Sequence, residues 1–131
     1  MAKFMDEGSN RTANILLGAQ AVDGTLYLGI YKNSTEPALA DGLSALTEPS
    51  GSGYARIPLT RGLWTIIGGL ATYASQRFDN SGTNWGDIWG CFVCTTLIGT
   101  TGKLLAIDHL EEAIPVVDGA GITVLPKMLF S

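Results

Sequence analysis

The sequence predicts an all-β protein, an antiparallel sandwich or barrel that follows a short helix. Three observations support this fold class. About six to eight short segments alternate apolar and polar side chains or are rich in β-branched and aromatic residues, as strands are. Clusters of Gly, Asn, Asp and Ser separate these segments about every ten residues, and no helical period persists beyond a few turns. With 131 residues, the chain has the size of one domain.

The N-terminal part is predicted to hold an arm and the one helix. Residues 1–11 are polar and mixed in character, which is typical of a flexible arm, and residues 12–131 then form a single β domain. The segment Thr12–Gln20 is predicted to be a short helix, because Thr12 or Asn10 can cap it and its apolar residues fall at helical spacing.

The middle of the chain is predicted to alternate strands with one long connection. The segment Thr25–Lys32 alternates like a strand. Residues 33–53 are rich in Pro, Gly and Ser and show no period, and long loops of this kind are usually functional or make contacts. The strand that follows contains Pro58, which has no N–H for a sheet ladder, so we expect it at an edge or at a bulge. The segment LWTIIGGLATYAS is predicted to be two short strands joined at Gly68 and Gly69.

The last third of the chain contains the most apolar strand, residues 87–96. A turn and a further strand over residues 103–110 are expected next. The segment EEAIPVVDGAG, residues 111–121, is predicted to be a loop or an edge segment that ends in a turn. Residues 122–130 alternate and are predicted to end the protein on a strand.

Composition limits the classes of partner. Charged residues make up only 15% of the chain. A surface with so few charges is typical of a protein that buries part of its surface against neighbouring subunits. The net charge is −4 and the basic residues are scattered, which disfavours a nucleic-acid partner. The sequence shows neither a membrane span nor the apolar core of a signal peptide, so we expect synthesis in a cytoplasm and no membrane partner.

Two cysteines, Cys91 and Cys94, lie in the most apolar segment. Positions three apart on an extended strand point to opposite faces, so a disulfide or a shared metal would require the chain to bend. The prediction is two free, packed thiols, because buried cysteine behaves as a small hydrophobic residue.

The sequence yields no convincing catalytic or metal site. His109 is the only histidine, and its neighbours Asp108, Glu111 and Glu112 could orient it or share a metal ion. On a strand, however, Asp108 faces away from His109 and only Glu111 shares its face, which leaves two ligands, too few for a closed zinc site. The interpretation favoured is a solvated, polar strand end.

Two further patterns are interpreted as turns. The segment GTTGKLL resembles a phosphate loop, but Leu97 and Leu104 stand where the Walker pattern needs a glycine and a hydroxyl, so it is predicted to be a hairpin turn. Asp79, Asp87 and Asp118 each lie among turn residues, where short acids bond to the local backbone. No catalytic, cofactor-binding or metal-ligating residue is predicted, and no small-molecule substrate.

The aromatic residues allow two interpretations. They could line a carbohydrate-binding platform, since flat rings stack on sugar faces, or they could fill a core or the seam between subunits. The second is favoured. The residues concerned are Tyr54, Trp64, Tyr73, Trp85 and Trp89.

The order of several segments resembles a family of tailed-bacteriophage virion proteins, tail-fibre-like or capsid decoration (cement) proteins. The segments that carry the resemblance are TLYLGIYK, TEPSGSGYARIPL, TNWGDIWGCFV, TGKLLAIDHL and VDGAGITV, and the likeness covers nearly the whole chain from Asn10 onward. The segment CFVCTT departs from the family pattern, in which an aromatic and an acidic residue are usual at that strand end.

This resemblance implies a single jelly-roll-like β-sandwich that is a structural part of a virion and has no catalytic residues or cofactor. The leading expectation is a homotrimeric cement protein that binds the major capsid protein and bridges its subunits. The alternative is a tail-fibre, adaptor or receptor-binding component of the tail. The arm over residues 1–11 is expected to order on docking.

The stretch EPSGSGYARIPL has the character of a corner in a sheet. Gly51 and Gly53 can adopt positive φ and turn the chain sharply, after which Tyr54 and Ile57 begin the next strand. Arg56 is expected to point away from Ile57, toward solvent or a carboxylate of a neighbouring molecule.

Overall fold

A computed structural model describes residues 2–19, 21–51 and 53–130. Within these ranges the chain is mostly antiparallel β structure with one α-helix, as the fold class predicted. The helix is α1 (Asp6–Leu16), and a 3-10 turn spans Leu43–Ala45. The strands are β1 (Ala2–Phe4), β2 (Thr25–Tyr31), β3 (Ile57–Thr60), β4 (Thr65–Ile67), β5 (Leu70–Thr72), β6 (Gln76–Asp79), β7 (Gly86–Cys94), β8 (Leu104–Val116), β9 (Gly121–Val124) and β10 (Lys127–Leu129).

The strands form three sheets in which every pairing is antiparallel. The largest has five strands in the order β1-β8-β7-β2-β3. A second has three strands in the order β10-β5-β4, and β6 pairs with β9 in a third. Since β3 is an edge strand, Pro58 lies where the sequence predicted it, and its missing N–H interrupts no ladder.

Strand β7 lies in the middle of the five-stranded sheet, and side chains cover both of its faces. Ile88 and Val93 pack on one face with buried side chains of β5, β6, β9 and β10. On the other face, Phe92 packs with Leu43 of the long connection and with Met5, directly before α1. A strand buried on both faces needs apolar residues at successive positions, which explains why this segment is the most apolar of the chain.

The two cysteines conform to the prediction. Cys91 packs in the cluster on the first face of the sheet and Cys94 in the cluster on the second. Both thiols are buried and free.

The N-terminal prediction was wrong in its boundary. The structure has no unpaired arm over residues 2–11: β1 pairs with β8, and α1 begins at Asp6 rather than at Thr12. Two tertiary contacts explain the difference, because Met5 is fully buried and Gly8 packs against the backbone of Leu105, where a Cβ atom would lie only 2.4 Å from the carbonyl oxygen. Thr12 donates to the carbonyl of Gly8 inside the helix and caps nothing.

The helix ends shortly before a glycine. Gly18 has φ +78°, and the amides of Gly18 and Ala19 donate to the carbonyls of Ile15 and Asn14. This pair of bonds is the Schellman arrangement, which satisfies the last carbonyls of a helix. Gln20, the predicted last residue of the helix, lies outside the described residues.

Two C-terminal boundaries also differ from the prediction. Strand β8 continues to Val116, so residues 111–116 are not a loop. Beyond Asp108 the described residues of β1 no longer pair with β8, so this stretch is an edge segment, which was the other predicted alternative, and Pro115 can be accommodated on its open side. The predicted last strand is two strands, β9 and β10, which belong to different sheets and are separated at Pro126. By contrast, β4 and β5 are joined at Gly68 and Gly69 as predicted, and both glycines have positive φ.

We expect Gly29→Ala to destabilise the fold by about 2–3 kcal/mol, because overpacked cores must shift side chains and backbone. A Cβ atom at Gly29 would lie 2.2 Å from Cζ of Phe92, whose ring is buried. The measurement is urea unfolding followed by circular dichroism. Gly24→Ala is the control, since a Cβ atom at Gly24 would have no heavy atom within 4 Å. If both variants unfold at the wild-type urea concentration, the proposed Gly29–Phe92 contact is wrong.

Candidate functional site

An apolar groove lies between helix α1 and the β4–β5 hairpin. Its volume is about 320 Å³. The helix contributes Thr12 and Ile15, and the hairpin side contributes Trp64 and Ile66. Further lining side chains are Phe4, Val22, Leu26, Met128 and Phe130.

The groove exists because β4 extends beyond the core that its sheet covers. Ile66 pairs with Ala71 and therefore shares its face of the sheet. Ala71 is 2% exposed, whereas Ile66 is 67% exposed. An inward-facing isoleucine in β4 thus has too little protein beneath it, and the groove is the space that remains.

The charged groups at the rim of the groove largely compensate one another. Arg11 donates two hydrogen bonds to Asp23, at 3.0 and 2.5 Å, and hydrogen bonding to Asp23 raises the pKa of Arg11. Arg61 also lies at the rim and is exposed. The groove therefore offers an apolar floor and a rim with one exposed positive charge.

Large exposed apolar residues flank the groove on both sides. Leu16 and Leu17, at the end of α1, are 81% and 80% exposed, and Leu63 is exposed just before β4. Together with the groove these residues form what we call the groove face. Exposed apolar areas of this kind mark sites of contact with other molecules.

Two other apolar surfaces lie elsewhere on the molecule. One is the tip of the β7–β8 connection, where Leu97 and Ile98 are exposed beside a depression that includes Glu48 and Arg56. The other is lined by Ile114 of β8 and Leu125 of the β9–β10 connection, both of which are exposed. The depressions at the three surfaces share no lining residue.

The corner sequence EPSGSGYAR builds a buried ion pair. The carboxylate of Glu48 accepts hydrogen bonds from Nε and Nη2 of Arg56, at 2.9 and 2.8 Å, and from the hydroxyl of Tyr54 at 2.6 Å. Arg56 also donates to the carbonyl oxygens of Thr96 and Gly99, both at 2.9 Å. The guanidinium joins two loops through a planar set of donors that lysine does not have.

The expectation for Arg56 was therefore wrong. Arg56 is 5% exposed and pairs with a carboxylate of its own chain, not with solvent or a neighbouring molecule. Gly51 and Gly53 have positive φ as predicted, and the reversal they allow brings Glu48 alongside Arg56. Alternation along a strand could not reveal this contact, because Glu48 lies in the loop and not in a paired strand.

Burial and hydrogen bonding shift the ionisation of this cluster. Burial raises the pKa of Tyr54 far above its ordinary value, and the hydrogen bond to Glu48 raises it further, so the phenol stays protonated and donates. Burial lowers the pKa of Arg56, but the hydrogen bond to Glu48 and the electrostatic effects of Cys94, Glu48 and Tyr54 together outweigh burial, so the pKa is raised. Tyr54 and Arg56 therefore both keep the protons that they donate to Glu48.

His109 is packed between two aromatic rings and is not a solvated strand end. Its Nδ1 lies 2.7 Å from the hydroxyl of Tyr31, and its ring stacks on those of Tyr31 and Trp89. Gly90 lies between Tyr31 and His109 in the sheet, and a Cβ there would lie 2.4 Å from the tyrosine hydroxyl. Asp108 faces the other side, as predicted, where Lys127 lies 3.4 Å from it.

The aromatic residues do not form one platform. Trp85 and Tyr54 pack edge to face in the core, with Phe78 against Tyr54. Trp64 and Tyr73 pack against each other near the groove, while Trp89 stacks on His109. This separation agrees with the interpretation of core and surface packing and leaves Trp64 as the tryptophan that lines the groove.

The remaining sequence candidates lie in loops or at exposed positions. Residues 99–103 belong to the connection between β7 and β8, as the hairpin prediction required, and Leu104 and Leu105 begin β8. The carbonyl of Gly99 accepts a hydrogen bond from Arg56. Asp79 ends β6 and pairs with Arg77 at the surface. Among the described residues, no three His, Cys, Asp or Glu side chains come together as metal ligands would. The helix found in the described ranges is too short to cross a bilayer.

Removal of the carboxylate from the buried ion pair should destabilise the fold. We expect Glu48→Gln to lower the free energy of unfolding by about 2–3 kcal/mol, because it leaves the charge of Arg56 without a buried partner. Asp79→Asn is the matched control, since both side chains of the Arg77–Asp79 pair are mostly exposed and such pairs contribute less than about 1 kcal/mol. Urea unfolding at neutral pH measures both. Equal small losses of unfolding free energy in the two variants would show that the Glu48–Arg56 pair stabilises the fold no more than the exposed pair does.

The thiols should be unreactive in the folded protein. Burial raises the pKa of Cys91 to about 12 and also raises that of Cys94, so neither forms much thiolate near pH 8. We expect no reaction with Ellman's reagent in buffer and two reactive thiols per chain in denaturant. Rapid reaction of the folded protein would contradict the packing described.

Because the thiols ionise in the unfolded chain from about pH 8.5 but not in the fold, the free energy of unfolding should fall as pH rises above that value.

Comparison with known proteins adds no relative to this picture. No family model matches the chain, and no curated protein matches it. The function is therefore inferred from the chain's own sequence pattern, packing and surface.

Proposed function

We propose that the protein is a non-enzymatic structural subunit of a tailed-phage virion, a capsid cement or decoration protein that binds the major capsid protein. Two independent lines support this. The order of five sequence segments resembles such proteins, and the surface carries apolar residues in several separate places. The proposal requires no substrate, cofactor or metal.

The proposed architecture is a jelly-roll-like sandwich. One face of the five-stranded sheet packs against side chains from the two small sheets, in a cluster that includes Leu28, Val93, Phe78, Ile122 and Met128. A sandwich core is built in this way, from inward-facing residues of opposed sheets. The small sheets would together form the second layer.

The observation that carries the proposal is the distribution of exposed apolar residues. A binding module with one partner needs one apolar surface, whereas this chain has the groove face, the Leu97–Ile98 tip and the surface near Leu125. A subunit of a lattice touches several neighbours at once, and each contact is stabilised by about 25 cal/mol for every Å² of apolar surface removed from water. Several small contacts of this kind suit a protein that holds capsid subunits together.

Location on the particle tests the proposal most directly. The experiment uses the phage whose genome encodes the chain, with the protein carrying a C-terminal epitope tag, and images antibody-labelled virions by electron microscopy. We expect label on the head, at many copies per particle. Label confined to the tail would overturn the cement function and favour the tail-fibre or adaptor alternative, and unlabelled virions would overturn the virion assignment itself.

A double substitution tests the apolar contacts. We expect Ile98→Ser with Leu125→Ser to weaken binding to capsids that lack the protein by at least about tenfold, because two exposed apolar contacts are removed without disturbing the core. Leu39→Ser is the control, since Leu39 is also exposed but lines none of the three depressions. Binding is measured by co-sedimentation. Saturation of capsids by the double variant at wild-type concentrations would show that these surfaces do not dock.

The trimer stays a prediction. It rests on the resemblance, and chemical cross-linking of the purified protein would test it separately from attachment to the particle.

A further inference from the structure

The open edge of β4 is the feature from which we draw a further inference. Strand β4 ends the order β10-β5-β4, so within the described ranges no strand lies beside one side of its backbone. Edge strands are usually protected from pairing with other chains by a charge, a proline or a short bulge. Among the described residues, the other edges of the two larger sheets have such protection: Lys3 in β1, Pro58 in β3 and Lys127 in β10. The sequence of β4, Thr-Ile-Ile, has none.

The backbone groups of Ile66 point toward this open side. Tyr73 donates to the carbonyl of Pro126, and Phe130 donates to the carbonyl of Gly69, so the odd-numbered residues of β5 face β10. The even-numbered residues Leu70 and Thr72 therefore face β4, and they pair with Ile67 and Thr65. Along an antiparallel pair, bonded and non-bonded pairs alternate, so the N–H and C=O of Ile66 are directed away from β5.

The side chain of Ile66 adds a second reason. It lies on the inward face, over the groove, and is 67% exposed. One more strand beside β4 would continue the sheet over the groove and would bring an inward side chain next to Ile66. The three-stranded sheet thus stops about one strand short of covering its own apolar floor.

We propose that a second copy of this chain supplies that strand, through antiparallel pairing of β4 with its own equivalent about a two-fold axis. In this arrangement the axis is perpendicular to the sheet and passes beside Ile66. The two Ile66 residues exchange both backbone hydrogen bonds, and their side chains point to the same, inward side. The two three-stranded sheets become one sheet of six strands.

Self-pairing fits the chemistry of the groove face better than pairing with an unrelated strand. An isologous contact uses the same patch twice, so it must carry little charge of one sign next to its axis, and Thr65, Ile66 and Ile67 are uncharged. The groove and the exposed side chain of Ile66 beside it supply apolar surface that a second copy would remove from water. A free extended peptide as partner is an outcome that the test distinguishes.

The pairing does not depend on the virion assignment. It is compatible with a trimer made through another surface, because two trimers joined through β4 would give six copies. A two-fold contact thus predicts an even number of copies, either two or six.

The mass of the purified full chain in solution tests the proposal. Sedimentation equilibrium is measured from about 1 µM to about 500 µM, a range that includes ordinary self-association. We expect two or six copies at the upper end. A protein that stays at one or three copies throughout overturns the pairing, and this result leaves its location on a virion untouched.

Two substitutions at one position assign the contact to β4. Ile66→Pro removes the N–H that points to the open edge but no bond to β5, and Ile66→Lys puts two like charges together at the axis. We expect each to raise the dissociation constant of the pair at least about tenfold without loss of the folded circular dichroism spectrum. Ile66→Val keeps the N–H and an apolar side chain and should associate like the wild type. Association of both altered proteins at wild-type strength would overturn the pairing.

Hydrogen exchange gives a readout that does not rely on variants. In the paired state the amide of Ile66 donates a hydrogen bond across the axis, so its exchange rate should fall as the protein concentration rises. The amide of Ile67 is bonded to β5 whether or not the copies pair, so its exchange rate should stay the same. If the Ile66 amide exchanges at one rate across the range in which the mass increases, the copies meet at a different surface.

Discussion

The fold depends on the burial of β7 on both faces. A strand in that position leaves apolar surface in contact with water unless both sides are covered, and the chain covers them by different means. The small sheets cover one side, while the loop between β2 and β3, with Leu43, and the residues that lead into α1 cover the other. The order of elements along the chain follows from this need, because the N-terminal segment, the long loop and the C-terminal strands all return to the same central strand.

The covering loop is held by charge as much as by apolar contact. Glu48 belongs to the loop, Arg56 follows the glycine corner, and the carbonyls of Thr96 and Gly99 belong to the connection after β7. Arg56 therefore ties the end of the loop to the end of the strand that the loop covers, and its guanidinium lies 5.4 Å from the centre of the Phe92 ring. Because the ion pair is buried, it needs every one of these acceptors, which gives the loop a single arrangement.

Local patterns in the sequence predicted the parts of the fold that local chemistry determines. The Gly68–Gly69 hairpin, the edge position of Pro58 and the opposite faces of Cys91 and Cys94 each follow from backbone geometry within a few residues. The start of α1 and the burial of Arg56 could not be predicted in this way. Met5 and Gly8 are helical or buried because of β8, about a hundred positions later, and Arg56 is buried because of a loop that shows no period. The sequence did not predict the groove for the same reason. Nothing in Thr-Ile-Ile indicates that the sheet ends at β4. Only the pairing of Ile66 with Ala71 shows that the side chain of Ile66 points inward and is not covered by other residues.

The pairing of β1 with β8 has a consequence for synthesis. Ala2 lies opposite Asp108, so β1 leaves the ribosome long before its partner and must wait for most of the other strands to be made. Until then β1 and the buried side of α1 have no sheet to pack on, and an amphipathic segment that waits in this state is open to chaperones and to wrong neighbours. The pairing of β1 is therefore a long-range closure, and contacts so distant along the chain slow folding.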